Sequence, residues 1–130
     1  MSTLFYVKIS INIFDEGLLI QHLHGIVISS EVQAGKLCCL YHNTTMGILV
    51  GTDNRGKCPQ LGNGITVCTG AVIVGEIEIA NGVTIAANAV VSKSMNQEGC
   101  VVGGVPAKMI KDHAGFSMRD YWKKIKERVN

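Results

Sequence analysis

The sequence predicts an all-β solenoid, and three regularities carry that expectation. Leu61, Val67, Ile73, Ile79, Ile85 and Val91 recur every six residues without a break. Small residues follow most of them: Gly62, Cys68, Ala80, Ala86 and Ser92. Four residues after each of the first five stands a second apolar group: Ile65, Ala71, Ile77, Val83 and Ala89. A helix wants a period of about 3.6 and a strand about 2. A fixed hexad therefore describes a short strand and a corner repeated as one unit.

In chain order, Met1 to Phe14 alternates loosely, as a strand does. The ladder then runs through Ile28, Ala34, Leu40 and Met46, with Val32, Cys38 and Val50 at three inward fourth places and Thr44 at the other. The next step, from Met46 to Leu61, is fifteen residues and not a multiple of six. The segment 48–60 must therefore leave the ladder as an extruded loop. Gly51, Asp53, Asn54, Gly56 and Pro59 supply its turn chemistry. Such a loop is either functional or a tolerated surface insertion. Asn63-Gly64 and Asn81-Gly82 stand at equivalent hexad places, where a corner needs positive φ. Gly103 to Lys108 reads as a turn-rich exit. Phe116 to Val129 reads as one helix, with Ser117 and Asp120 as a partial capping box and Met118, Tyr121, Trp122, Ile125 and Val129 along one face. The expected organisation is a solenoid domain over 1–112 and a short α-helical tail over 113–130.

Composition agrees. Of 130 residues, 47% are apolar but only 5% aromatic, which suits narrow stacked strands packed with Ile, Val, Leu and Ala. A net charge of +2, mostly from a solvated face on the last helix, gives no reason to expect nucleic acid. Five cysteines with no CxxC pair read as reduced, packed thiols of a cytoplasmic protein. No signal-peptide pattern and no bilayer-length apolar run is present, and no N-terminal helical domain is expected.

Three segments carry a resemblance beyond the hexads: Gln21-His22-Leu23-His24-Gly25-Ile26-Val27-Ile28, Tyr41-His42-Asn43-Thr44-Thr45-Met46-Gly47, and Gly104-Val105-Pro106-Ala107-Lys108-Met109-Ile110. Over about residues 10 to 112 the chain resembles the hexapeptide-repeat acyltransferases, most closely their serine acetyltransferase branch. The resemblance implies a left-handed parallel β-helix with three hexads per turn. It implies a homotrimer that holds acetyl-CoA between adjacent prisms, and an O-acetyl transfer that needs no metal. The acceptor is then L-serine or a sugar hydroxyl, the latter in polysaccharide biosynthesis.

The same resemblance makes His22 the general base, six residues before Ile28 at an otherwise apolar ladder place. The family orients its base with an upstream aspartate. Here Asn12 stands in that segment, and Asp15 is the nearest acid; either is a candidate partner. Gly47, Thr69, Gly70 and Ala87 match the acetyl-CoA groove, with Lys108 and Lys111 toward the nucleotide phosphates. His42 is a further lining residue. Where the serine enzymes grip their acceptor with an Arg-His pair, this chain has Lys57-Cys58, which forks a carboxylate less well and weakens the case for free serine. Two other readings compete. One is a zinc hydratase built on His22, His24 and His42, although the histidine spacing and the loop favour the transferases. The other is a catalytically inactive trimeric scaffold.

Overall fold

The computed structural model describes residues 6–49, 51, 57–114, 120, 123–124 and 127–128. Among these, fourteen short strands follow one another: β1 (Val7–Lys8), β2 (Leu19–Ile20), β3 (Ile26–Ile28), β4 (Gln33–Ala34), β5 (Cys39–Leu40), β6 (Thr45–Gly47), β7 (Gln60–Leu61), β8 (Thr66–Val67), β9 (Val72–Val74), β10 (Glu78–Ile79), β11 (Thr84–Ile85), β12 (Val90–Val91), β13 (Val101–Gly103) and β14 (Lys108–Lys111). They stack into three faces. The first is β1-β3-β6-β9-β12, the second β4-β7-β10, and the third β2-β5-β8-β11-β13-β14. All neighbours are parallel except β13 and β14, which are antiparallel. The architecture is the left-handed parallel β-helix.

One full turn is 18 residues: Thr66 faces Thr84, Val72 faces Val90 and Gln60 faces Glu78. Across the segment 48–60 the offset becomes 27, as between Cys39 and Thr66 or Thr45 and Val72. The loop therefore adds nine residues to one turn and leaves the register intact on both sides. Val50 and residues 52–56 lie outside the described residues.

The inward places form the core. Ile28, Leu40, Met46, Val67, Ile73, Ile85 and Val91 are buried, as are Ile65, Ala71, Val83 and Ala89 one strand-step before the next rung. Thr44, inward with them, satisfies its hydroxyl by donating to the Tyr41 carbonyl at 3.3 Å. Corners turn on left-handed residues that stack in columns. Between the third and first faces these are Gly25, Asn43, Gly70 and Asn88, with φ of 64°, 57°, 74° and 59°. A Cβ on Gly25 would strike the side-chain oxygen of Asn43, and one on Gly70 that of Asn88. Glycine and asparagine thus alternate because each asparagine amide fills the space that the glycine above it leaves.

Two expectations change. His22 does not occupy a rung. Ile20 is the rung-mate of Leu40, and Ile28 that of Met46. Ile20 to Ile28 is eight residues where Leu40 to Met46 is six, so the corner Gln21–Gly25 carries two extra and turns His22 out to solvent. Lys108 to Lys111 is a strand on the edge of the third face, not part of a turn. Residues 120, 123–124 and 127–128 are helical and exposed, while Ser117 and the apolar stripe Met118, Tyr121, Trp122, Ile125 and Val129 lie outside the described residues.

Candidate active site

The corner joining the third face to the first brings His22, His42, Thr69, Gly70 and Ala87 together. Its stacked turns are Gln21–Gly25, Tyr41–Thr44, Cys68–Ala71 and Ala86–Ala89. The His42 carbonyl accepts from the Thr69 hydroxyl at 3.0 Å and from the Gly70 amide at 3.2 Å. One level on, the Asn88 amide donates to the Thr69 carbonyl at 2.9 Å. One level back, the Asn43 amide donates to the His24 carbonyl at 2.8 Å. His24, His42 and Thr69 therefore hold equivalent places in one backbone column, which Ala87 continues, with His22 two residues before His24. At its head the rings of His22 and His42 meet edge to face, with centroids 5.4 Å apart and planes at 83°. His22 is exposed and His42 half-buried. His42 Nδ1 is buried without a hydrogen-bond partner.

Beside this column runs a row of outward side chains that shrink along the prism: Gln21, Tyr41, Cys68, Ala86, Gly103. The backbone amides of its first four members donate to Leu40, Val67, Ile85 and Val102 carbonyls at 2.9 Å. A Cβ on Gly103 would come 3.1 Å from that of Ala86. Gly103 pairs with Lys108, and Val101 with Lys111, both lysines exposed. A track of small residues thus ends at a cation, which suits a slender chain terminating in phosphate. Gly47 lies at the far edge of the first face, beside Val74 and away from the histidines; a Cβ there would meet only Ser29, at 3.9 Å.

Burial disfavours the thiolate form of the cysteines on this part of the chain. Burial pushes the Cys39 thiol up to about 11, against the opposing hydrogen bond from Gln21. Burial also raises Cys68 and Cys38. Such thiols stay protonated near neutral pH.

The remaining candidates lie elsewhere on the chain. Phe14 bridges Ala34, so the segment Ile11–Asp15 belongs to the second face, where it lines a shallow cleft of about 290 Å³. Asp15 Oδ1 accepts from the Glu16 amide at 2.8 Å, a turn contact. Neither Asn12 nor Asp15 is brought to His22 within the chain. Lys57 stands at the corner between the first and second faces, its Nζ 3.0 Å from Glu76 Oε1. Cys58 is buried at 4% exposure among the core side chains. The chain has already turned inward at Cys58, just before Leu61 re-enters the ladder. Among the described residues of the single chain no three His, Cys, Asp or Glu side chains converge as a metal site. No described helix is long and apolar enough to cross a membrane. The ring pair and the Lys57–Glu76 pair were both invisible in the sequence, because each joins side chains on different turns.

No protein-family model matches the sequence. Curated relatives do. A serine acetyltransferase of Synechococcus elongatus is 33% identical over 95 residues, 73% of this chain and 38% of that protein. One of Helicobacter pylori is 37% identical over 98 residues, 74% of this chain and 56% of that protein. The chain belongs to the hexapeptide-repeat acyltransferases. The crystal structure of a family member, the Brucella abortus serine acetyltransferase in complex with coenzyme A, superposes with a TM-score of 0.69 at 28% identity, covering 79% of this chain and 40% of that one. The chain spans between about two fifths and just over half of the curated family members named here.

Proposed function

We propose that this chain is an acetyl-CoA-dependent O-acetyltransferase, and that it works as a cytoplasmic homotrimer. One observation carries the reading: the exposed His22 ring meets the ring of His42, whose backbone stacks on Thr69 in the same corner. The relatives named serine acetyltransferase, one of them solved with coenzyme A, support the same chemistry.

In the proposed reaction His22, neutral, removes the proton of an acceptor hydroxyl as that oxygen attacks the thioester carbonyl. Backbone amides of the corner hold the developing oxyanion. The tetrahedral centre collapses, the C–S bond breaks, and the leaving thiolate takes the proton back from the imidazolium. No acyl-enzyme is involved, in keeping with thiols that burial holds protonated. The acyl donor lies between adjacent prisms of a trimer, along Thr69, Gly70 and Ala87, with Lys108 and Lys111 toward its phosphates. Any role for Asn12 or Asp15 at the base has to come from a neighbouring prism.

A sugar hydroxyl is the acceptor that this chain's own residues favour over L-serine. Lys57 is already paired with Glu76, and Cys58 is buried, so the two positions expected to grip an amino-acid carboxylate are otherwise engaged. The test is release of free CoA thiol from acetyl-CoA, with L-serine and with a panel of sugars as acceptors. Release with any of them supports the transferase, and the productive acceptor decides between the two classes. No acceptor-dependent release, together with no protection of the fold by CoA, would leave an inactive scaffold.

A further inference from the structure

We propose that His42 is the positioning residue for His22, holding the ring of the base through edge-to-face contact and not by binding the acceptor. This rests on the reading of His22 as the base. Three observations carry it. The corner bearing His22 is two residues longer than its counterpart at His42, and the His22 imidazole makes no hydrogen bond among the described residues. Its ring partner is His42, and a centroid separation of 5.4 Å with planes at 83° falls within the range of about 4.5–7 Å that edge-to-face pairs prefer. The His42 backbone, by contrast, is fixed: its carbonyl takes hydrogen bonds from the Thr69 hydroxyl and the Gly70 amide. Its Nδ1 is buried with no partner, so a polar ligand meets at most one of its two nitrogens.

The chain places neither Asn12 nor Asp15 beside His22. A ring contact then does the orienting that a hydrogen-bonded acid would otherwise do. It limits the imidazole to orientations that present a nitrogen to the acceptor, and a base that is free to swing loses rate without losing substrate affinity. The consequence is a specific pattern across three variants. His42→Phe keeps the ring contact without any nitrogen. His42→Gln keeps polarity without the ring. His42→Ala keeps neither.

With the productive acceptor, His42→Phe is expected to stay within about threefold of the parent kcat, while His42→Gln and His42→Ala fall about tenfold or more, all with unchanged KM for the acceptor. Ring-proton NMR of His22, assigned by its disappearance in His22→Gln, gives a readout that does not depend on turnover. The His22 signals are expected to be ring-current shifted in the parent and in His42→Phe, and to relax toward the free-histidine position in His42→Ala. The proposal is overturned if His42→Phe is as slow as His42→Ala, if His42→Ala raises the acceptor KM at constant kcat, or if the His22 signals do not move. A parent protein with shifted His22 signals but no turnover would instead count against the transferase reading and leave the ring contact standing.

Discussion

Leu37 is the residue that fits its corner least well. It carries φ of 57° in a column whose other left-handed members are Gly17, Gly64, Gly82 and Gly99. A branched side chain in that conformation is strained by about 1–2 kcal/mol, and Leu37 is 46% exposed, so burial returns little. Asparagine tolerates the same φ, as Asn43 and Asn88 do at the next corner. Leu37→Asn is therefore expected to raise the free energy of unfolding by about 0.5–1 kcal/mol in a urea titration. A loss of stability would mean that the leucine's contact with Gly17 outweighs the strain. Cys39 sets a second expectation, in pH. Its thiol holds its proton to about 11 in the fold, against an ordinary value of 9.0. The unfolded chain therefore releases that proton first as pH rises. Stability is constant below about pH 9 and falls between there and about pH 11. Cys39→Ala should flatten that alkaline decline; an unchanged slope would assign it to other groups.

At the scale of elements, the extruded segment and the ladder are separable. The loop lengthens one turn from 18 to 27 residues without shifting a single rung on either side. Removing nine residues, with Gly47 joined directly to Lys57, restores a six-residue step from Met46 to Leu61. The shortened chain should keep the far-ultraviolet circular dichroism of the parent and a melting temperature within a few degrees, because closing a loop of either length differs by only about 0.6 kcal/mol per doubling. Acceptor turnover should fall at least tenfold if the segment shapes the acceptor site. Full turnover in the shortened chain would reduce the segment to a tolerated insertion. The hexads made this legible in advance, since an inward place every six residues is a strict condition and Ile65, Ala71, Val83 and Ala89 all meet it. Corner length carries no such condition. His22 kept an apparent six-residue step to Ile28 although its corner holds two extra residues, and nothing in Gln21 to Gly25 marks them. Lys108–Lys111 was hidden for a related reason: an antiparallel edge strand follows no hexad.

At the scale of the whole molecule, the proposed trimer makes one prism half of a binding groove. His22 and the exposed Leu23 lie on one corner, and Lys57 with Glu76 lies on another. The proposed trimer sets one chain's histidine corner against the next chain's flank, so the acyl donor would be gripped between copies. Sedimentation equilibrium should then return three times the 14.0 kDa chain mass, and CoA should raise the melting temperature of that species. A monomer that is fully active at micromolar concentration would contradict the shared site. The central claim, that the imidazole at the head of this corner takes the acceptor proton, is tested most directly by comparing acceptor-dependent CoA release of His22→Ala with that of the parent, both at matched folded concentration. The account predicts a fall of about 10²–10⁴ in kcat with the trimer and its CoA affinity retained; turnover within a few-fold of the parent would contradict it.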